Sequence, residues 1–146
     1  MAQIAKVEAL VQTKCCSTKV YDLMKNNLAK LVDILPAQFK SVELLGGEEG
    51  CAGHVKLVKY DLGGPKTVKL RFEVIDDAKK SMEIVAFEGD VMQLYKSFKT
   101  TITAVDGNTV KWSIEFEKAN ELAPAPDHYI LLATQVTKML DAYLVI

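Results

Sequence analysis

The sequence predicts an α+β domain: a curved antiparallel sheet of seven strands, two short helices and a long C-terminal helix. Three observations predict it. Residues 38–118 alternate apolar and polar with a period of two, broken by turn-forming residues. A stretch with helical spacing follows two prolines at the C-terminal end. Two short helical stretches lie between the first alternating segment and the rest. At 146 residues with 49% hydrophobic content, a single domain over 1–146 is expected, with core enough to need neither disulfide nor metal.

Taken in order, residues 4–12 place Ala5, Val7, Ala9 and Val11 on one side and Lys6, Glu8 and Gln12 on the other, a half-buried strand. Ser17 or Thr18 can cap a helix through Val20, Tyr21, Leu23 and Met24, which Asn26 and Asn27 interrupt. A second short helix carries Leu28, Leu31, Val32 and Leu35 before Pro36 stops it. Strands are then expected at 39–45, 54–61, 66–76, 80–87, 93–105 and 109–118. Gly46-Gly47, Gly63-Gly64-Pro65, Asp76-Asp77, Glu88-Gly89-Asp90 and Asp106-Gly107-Asn108 supply the turns between them. Val68, Leu70, Phe72 and Val74 share one face of the fourth strand, and Val110, Trp112, Ile114 and Phe116 one face of the last. Short turns between such strands favour an antiparallel meander with one dry face. After Pro124 and Pro126, Asp127 opens a helix to about Val145. Its stripe of Tyr129, Leu132, Ala133, Val136, Leu140 and Tyr143 can cover that face, with Thr134, Lys138 and Asp141 opposite.

Charge and motifs exclude several functions. The 18 basic and 19 acidic residues leave a net charge of -1, with no footprint for nucleic acid or an anionic membrane. Tyr95, Phe98 and the lysines between and beside them read as an alternating strand, not as a base-stacking platform. The N-terminal residues lack the basic start and unbroken apolar run of a secretory signal, and no apolar run reaches ~20 residues; cytoplasmic location without stable membrane association is expected. Cys15, Cys16 and Cys51 form an odd set suited to free thiols. Cys51 and His54 have no second ligand pair, so no metal is expected. The glycines at 46–53 enclose Glu48 and Glu49, and no Gly-Lys-Ser/Thr follows, so they serve turn geometry, not phosphate binding. Neither a Ser-His-Asp or Cys-His set nor a glycosidase-type carboxylate pair can be assembled.

The local sequence carries a sharper signal. Leu45-Gly-Gly-Glu-Glu-Gly-Cys-Ala-Gly53 resembles the glycine-rich loop, and Val74-Ile-Asp-Asp-Ala-Lys-Lys-Ser81 a hairpin, of the Bet v I-type (birch-pollen-allergen-like, START-like) superfamily. Phe87-Glu-Gly-Asp-Val-Met-Gln-Leu-Tyr-Lys-Ser-Phe98 and Val110-Lys-Trp-Ser-Ile-Glu-Phe-Glu-Lys118 resemble its plant major latex protein branch. The resemblance spans essentially the whole chain. It implies the helix-grip fold, with an internal cavity for a small lipophilic ligand between sheet and long helix, and no cofactor.

Alternation leaves open which side of the third strand faces in, since Val55 and Leu57 compete with His54, Lys56, Val58 and Tyr60. Family correspondence favours Val58 and Tyr60, with His54 and Lys56 nearer a mouth; ordinary surface positions are the plainer expectation for those two and for His128. Leu70, Phe72, Met82 and Ile84 are the expected ligand contacts of the next two strands. Phe98, Thr100, Ile102 and Trp112 are those of the last two, and Tyr129, Ala133, Val136 and Leu140 those of the helix. Two functions compete: a carrier of an apolar metabolite, or a cofactor-free cyclase or isomerase of a terpenoid (iridoid) or alkaloid intermediate. In the second, Tyr60, Lys56 and His54 are the candidate acid/base groups. The lysine-centred set of the superfamily's condensing enzymes does not map onto this chain, where Trp112 and Ile114 take the inward positions of the last strand. A ribonuclease would need a basic surface that is absent.

Overall fold

The computed structural model describes residues 4–14 and 17–145; Cys15 and Cys16, expected as free thiols, lie outside the described residues. The strands are β1 (Ile4–Gln12), β2 (Phe39–Gly46), β3 (Val55–Asp61), β4 (Pro65–Asp76), β5 (Ser81–Gly89), β6 (Tyr95–Asp106) and β7 (Thr109–Lys118). They form one antiparallel sheet in the order β1-β7-β6-β5-β4-β3-β2. From β2 to β7 each strand pairs with its successor, as tight turns dictate, and β1 closes onto β7. Two short helices, α1 (Ser17–Asn26) and α2 (Lys30–Ile34), fill the connection from β1 to β2, and α3 (Asp127–Val145) follows β7. This is the helix-grip fold expected from the sequence. No helix among the described residues is long and apolar enough to cross a membrane.

The sheet curls because several ladders slip. Register shifts fall at both ends of the β2–β3 pair, twice between β4 and β5, and at both ends of the β6–β7 pair. Each extra residue bends its strand and increases the local twist. One of them overturns an expectation. Phe72 faces Ile84 and Val74 faces Glu83, so Glu73 is the extra residue on β4. Val74 therefore points outward at 43% exposure, and Ile75 packs on the core in its place.

The concave face collects Val58, Tyr60, Phe72, Met82, Ile84, Phe98, Ile102, Val110, Trp112, Ile114 and Phe116, all buried. Helix α3 covers it with Ala133, Val136 and Leu140. Burying a Val or Leu side chain contributes about 1.5–3 kcal/mol, so this stripe is a main tie between helix and sheet. The stripe is displaced from the expected one. Tyr143 is 42% exposed, its ring near the Lys30 ammonium, whereas Asp141, expected outside, is buried and accepts the Lys14 backbone N–H at 2.7 Å. The chain following β1 crosses that end of α3 and needs an acceptor there. Thr137, fully buried, donates to the Ala133 carbonyl at 2.9 Å and accepts the Trp112 indole N–H at 2.7 Å.

Other differences are local. Ser17 opens α1, but its hydroxyl donates to the Asp106 carbonyl and its N–H to the Gly107 carbonyl at 3.1 Å. It docks the helix on the β6–β7 turn. The second helix is shorter than 28–35, and a single 3-10 turn, Asp90–Gln93, precedes β6, which starts at Tyr95. Gly89 enters that turn with φ 123°, and a Cβ there would stand 2.7 Å from the Val68 Cα, so glycine is required.

Thr137→Val keeps the shape of the side chain but leaves a buried indole N–H unbonded. That costs about 1–3 kcal/mol and is expected to lower the urea midpoint without changing the m-value. An unchanged midpoint would show that the hydrogen bond does not hold α3 to β7.

Candidate functional site

Sheet and helix do not meet everywhere. Between them lies a cavity of about 140 Å³, walled by Phe39 at the start of β2, by the inner faces of β3 to β7, by α3, and by Met24, Leu28 and Leu31 of the α1–α2 region. Nearly all of the wall is apolar. Eleven of the fourteen residues expected to meet a ligand line it: Val58, Tyr60, Leu70, Ile84, Phe98, Thr100, Ile102, Trp112, Tyr129, Ala133 and Val136. Phe72, Met82 and Leu140 are fully buried but packed behind the wall. Strand alternation finds the inward face but not how far along it the void extends.

The wall also holds residues not chosen from the sequence. Val68, Ile114 and Leu132 already lay on inward faces. Met24, Leu28 and Leu31 recur at helical spacing (i, i+4, i+7), a signal available in the sequence, although only the tertiary fold turns them toward the cavity. Val91 enters from the 3-10 turn, for which no periodic signal exists.

Tyrosine hydroxyls are the main polar feature of the wall. Tyr60 on β3 and Tyr129 in the first turn of α3 place their hydroxyl oxygens 2.7 Å apart. The Tyr129 ring meets Phe98 edge-on at 5.2 Å, and Phe98 continues through Tyr95 to Phe116 at 5.5 and 5.6 Å. Tyr95 fixes this aromatic row by donating to the Pro124 carbonyl at 2.6 Å, just ahead of α3. Thr100 adds a third side-chain hydroxyl to the wall. The Trp112 indole N–H is engaged by Thr137, so the ring offers the cavity an apolar face.

Burial pushes the phenols of Tyr60 and Tyr129 up from the ordinary tyrosine value, and for Tyr60 the hydrogen bond to Tyr129 adds to it. Both are neutral hydroxyls at physiological pH. They can donate to or accept from an oxygen function, but neither serves as an anionic base.

The third strand turns His54, Lys56, Val58 and Tyr60 inward, which settles the side left open by alternation. His54 and Lys56 are nevertheless not surface residues and do not line the cavity: they are 0% and 2% exposed, beyond its end. The reason is the glycine-rich loop, which folds over them. Gly47, at φ 77°, lies so close that a Cβ would stand 2.7 Å from the His54 Cα. His54 stacks on Phe72 at 4.1 Å and donates its Nδ1–H to the Cys51 carbonyl at 2.7 Å. Its Nε2 is buried without a hydrogen-bond partner among the described residues. Lys56 pairs with Glu49 from the same loop and lies 5.8 Å from the Phe72 ring. Of the three candidate acid/base residues, only Tyr60 reaches the cavity. Cys51 is an exposed free thiol, and no cluster of metal ligands occurs among the described residues.

A cleft outside the cavity is lined by Ala37, Gln38, Asp61, Leu62, Gly63, Leu131, Gln135 and the exposed His128. Leu132 borders both spaces and stands between them.

Comparison with known proteins agrees with this architecture. The sequence profile of the pathogenesis-related protein Bet v 1 family matches residues 2–146. The chain is 30% identical over 139 residues to MLP-like protein 423 of Arabidopsis thaliana, covering 92% of this chain and 90% of the other. The crystal structure of ginseng major latex-like protein 151 from Panax ginseng superposes with a TM-score of 0.91 at 26% identity, over 96% and 97% of the two chains. Norcoclaurine synthase from Thalictrum flavum shares the fold at a TM-score of 0.78 and 19% identity, over 99% and 88%.

A buried phenol that resists ionisation in the folded state makes stability depend on alkaline pH. An unfolded tyrosine ionises near ~10, whereas folded Tyr60 does not, so its contribution is intact below ~10 and lost as pH rises above that. Urea titrations at rising pH are expected to show stability falling beyond about pH 10, and falling less steeply for Tyr60→Phe. Parallel alkaline slopes would contradict this burial of the hydroxyl.

Proposed function

This chain belongs to the pathogenesis-related protein Bet v 1 family, and from that premise we propose that it binds a small lipophilic metabolite in the cavity, as a cytosolic carrier or buffer. The observation that carries the reading is an almost wholly apolar void marked by one hydroxyl pair, Tyr60 and Tyr129. Desolvation provides the affinity, and the hydroxyls orient an oxygen function such as a carbonyl or alcohol. Size limits the occupant. The void is close to the ~150 Å³ of cavities that stay dry and admit benzene. It falls below the ~300–1,000 Å³ of drug-sized pockets, so the ligand is a compact molecule near the size of one ring, or the wall yields to a larger one.

The hydroxyl pair also favours a second reading, a cofactor-free cyclase or isomerase of a terpenoid (iridoid) or alkaloid intermediate. A dry cavity folds a reactive chain into one conformer, and a neutral phenol can polarise its carbonyl as a bond forms. His54 and Lys56, lying outside the wall, have no part in this version.

Substitutions separate the readings. Val136→Trp fills the void and is expected to abolish binding of an apolar fluorescent probe while Tm holds or rises. Retained binding would sink the cavity as the site. Tyr60→Phe is expected to weaken a carbonyl-bearing probe about 5- to 10-fold, as one hydrogen bond is worth ~1 kcal/mol, and to leave a pure hydrocarbon unaffected. For the catalytic reading, reactive intermediates are incubated with wild type and with Leu70→Phe, and product ratios are compared with the uncatalysed reaction. Ratios identical to the uncatalysed ones in every case would leave the carrier alone. Leu132→Ala is expected to speed probe association and release together with little change in Kd, if Leu132 closes the access route from the outer cleft.

A further inference from the structure

The two edges of the sheet differ in regularity. Strand β2 ends the sheet on one side with a slipped register at each end, which bends it away from further pairing. Strand β1 ends it on the other side with an unbroken ladder from Ile4 to Gln12. A straight, regular edge is a template for another strand unless charge or shape forbids it.

Its backbone polarity is fixed by one hydrogen bond. Residues of β1 and β7 that face each other have numbers summing to 121, as in Val7 and Ile114. The Thr13 N–H donates to the Asn108 carbonyl at 2.8 Å in that same register. In an antiparallel pair, facing residues that bond each other alternate with those that do not. The odd residues Ala5, Val7, Ala9 and Val11 therefore spend their backbone groups on β7. The even residues Ile4, Lys6, Glu8 and Leu10 aim theirs off the edge. These even residues also carry the outward side chains, with Ile4 71% and Leu10 68% exposed.

We propose that β1 pairs antiparallel with β1 of a second copy of this chain about a two-fold axis at Val7, extending the sheet through both. The symmetry of the sequence selects the register. Even residues can face only even residues. With Lys6 opposite Lys6, or Glu8 opposite Glu8, like charges meet at the axis. Centred on Val7, Lys6 faces Glu8 of the other copy twice, and Ile4 faces Leu10 twice. Both charges and both apolar side chains are then matched on one face of the shared sheet. Lys6 and Glu8 lie 3.4 Å apart within one strand, and Lys111 lies 3.2 Å from Glu8, so the axis carries an alternating network of charge and not one isolated pair. A two-fold interface must be self-complementary, and in this register the strand is.

Sedimentation velocity on the full chain from micromolar to millimolar concentration tests the proposal. The expected result is a doubling of mass with rising concentration, weakened by salt. Glu8→Lys and Lys6→Glu proteins should each stay monomeric, and their equimolar mixture should associate, because only the mixture restores opposite charges across the axis. Retained Trp112 fluorescence and probe binding confirm folding. If a variant fails to fold, hydrogen exchange on the wild type tests the same pairing. The amides of Lys6, Glu8 and Leu10 should exchange at least ~10-fold more slowly in concentrated than in dilute protein, with Val7 and Ala9 slow in both. A monomer at every concentration overturns the proposal. So does a dimer that survives Glu8→Lys, protection confined to another surface, or capture of a different protein on this edge without self-association.

Discussion

An apolar concave sheet has to be covered, and a single helix has to cover it. The inner residues of β3 to β7 cannot face water, and α3, with 19 residues, is about 28 Å long, enough to lie across them. One cylinder laid in a curled sheet cannot fill its whole concavity. Around the short side chains of Ala86 and Ala133, both of which line the wall, about 140 Å³ is left over. A void of that size costs on the order of 3 kcal/mol by the penalty seen for engineered cavities, a sizeable part of a domain's net stability. Any apolar molecule that enters recovers contacts the protein has forgone. Binding of such a molecule would complete an unfinished core.

Polar groups are sorted with respect to that void. Lys56 and the imidazole of His54 lie beyond its end, near or stacked on Phe72 and covered by the glycine-rich loop, which supplies Glu49 as the partner of Lys56. Inside, the side-chain polar groups are hydroxyls, and burial keeps the phenols of Tyr60 and Tyr129 neutral. This confines the possible chemistry. A site without an ionised group cannot bind a charged ligand well or abstract a weakly acidic proton, but it can hold an uncharged molecule in one orientation. Selectivity then comes from shape and from one hydrogen-bonding direction, and a single methylene alters such affinity by only ~1–3 kcal/mol.

The order of elements was legible because period two and period 3.6 are distinct over long segments. Interruptions smaller than the window were not. The extra residue Glu73 exchanges Val74 for Ile75 in the core, and the 3-10 turn at Asp90–Gln93 brings in Val91. Neither leaves a compositional trace. On β3 alternation offered two equivalent faces, and family likeness chose between them. Even so, it placed His54 and Lys56 near a mouth, because the path of a glycine-rich loop depends on what it can pack against. On α3 the stripe was found but slightly misaligned. Thr137 and Asp141 are polar, and hydropathy assigns polar residues to water, yet each is buried beside the group it satisfies. Of the cavity, the direction of the walls was readable and its extent was not, since a void is a property of distances between elements.

The regularity of β1 and the shape of the cavity have a common origin in β7. Val110, Trp112, Ile114 and Phe116 all face inward without a break, and Trp112 has to meet Thr137 at hydrogen-bond distance. A bulge in the middle of β7 would turn part of that row outward and separate the indole from the helix. The bends that curl the sheet therefore sit at the ends of the β6–β7 pair and in strands farther away, and β1 inherits a straight ladder from its neighbour. A straight outermost strand is open to pairing, and alternating Lys6 and Glu8 set the one register in which a copy of itself is matched. The constraint that keeps the β7 wall of the cavity unbroken also leaves this edge of the molecule regular.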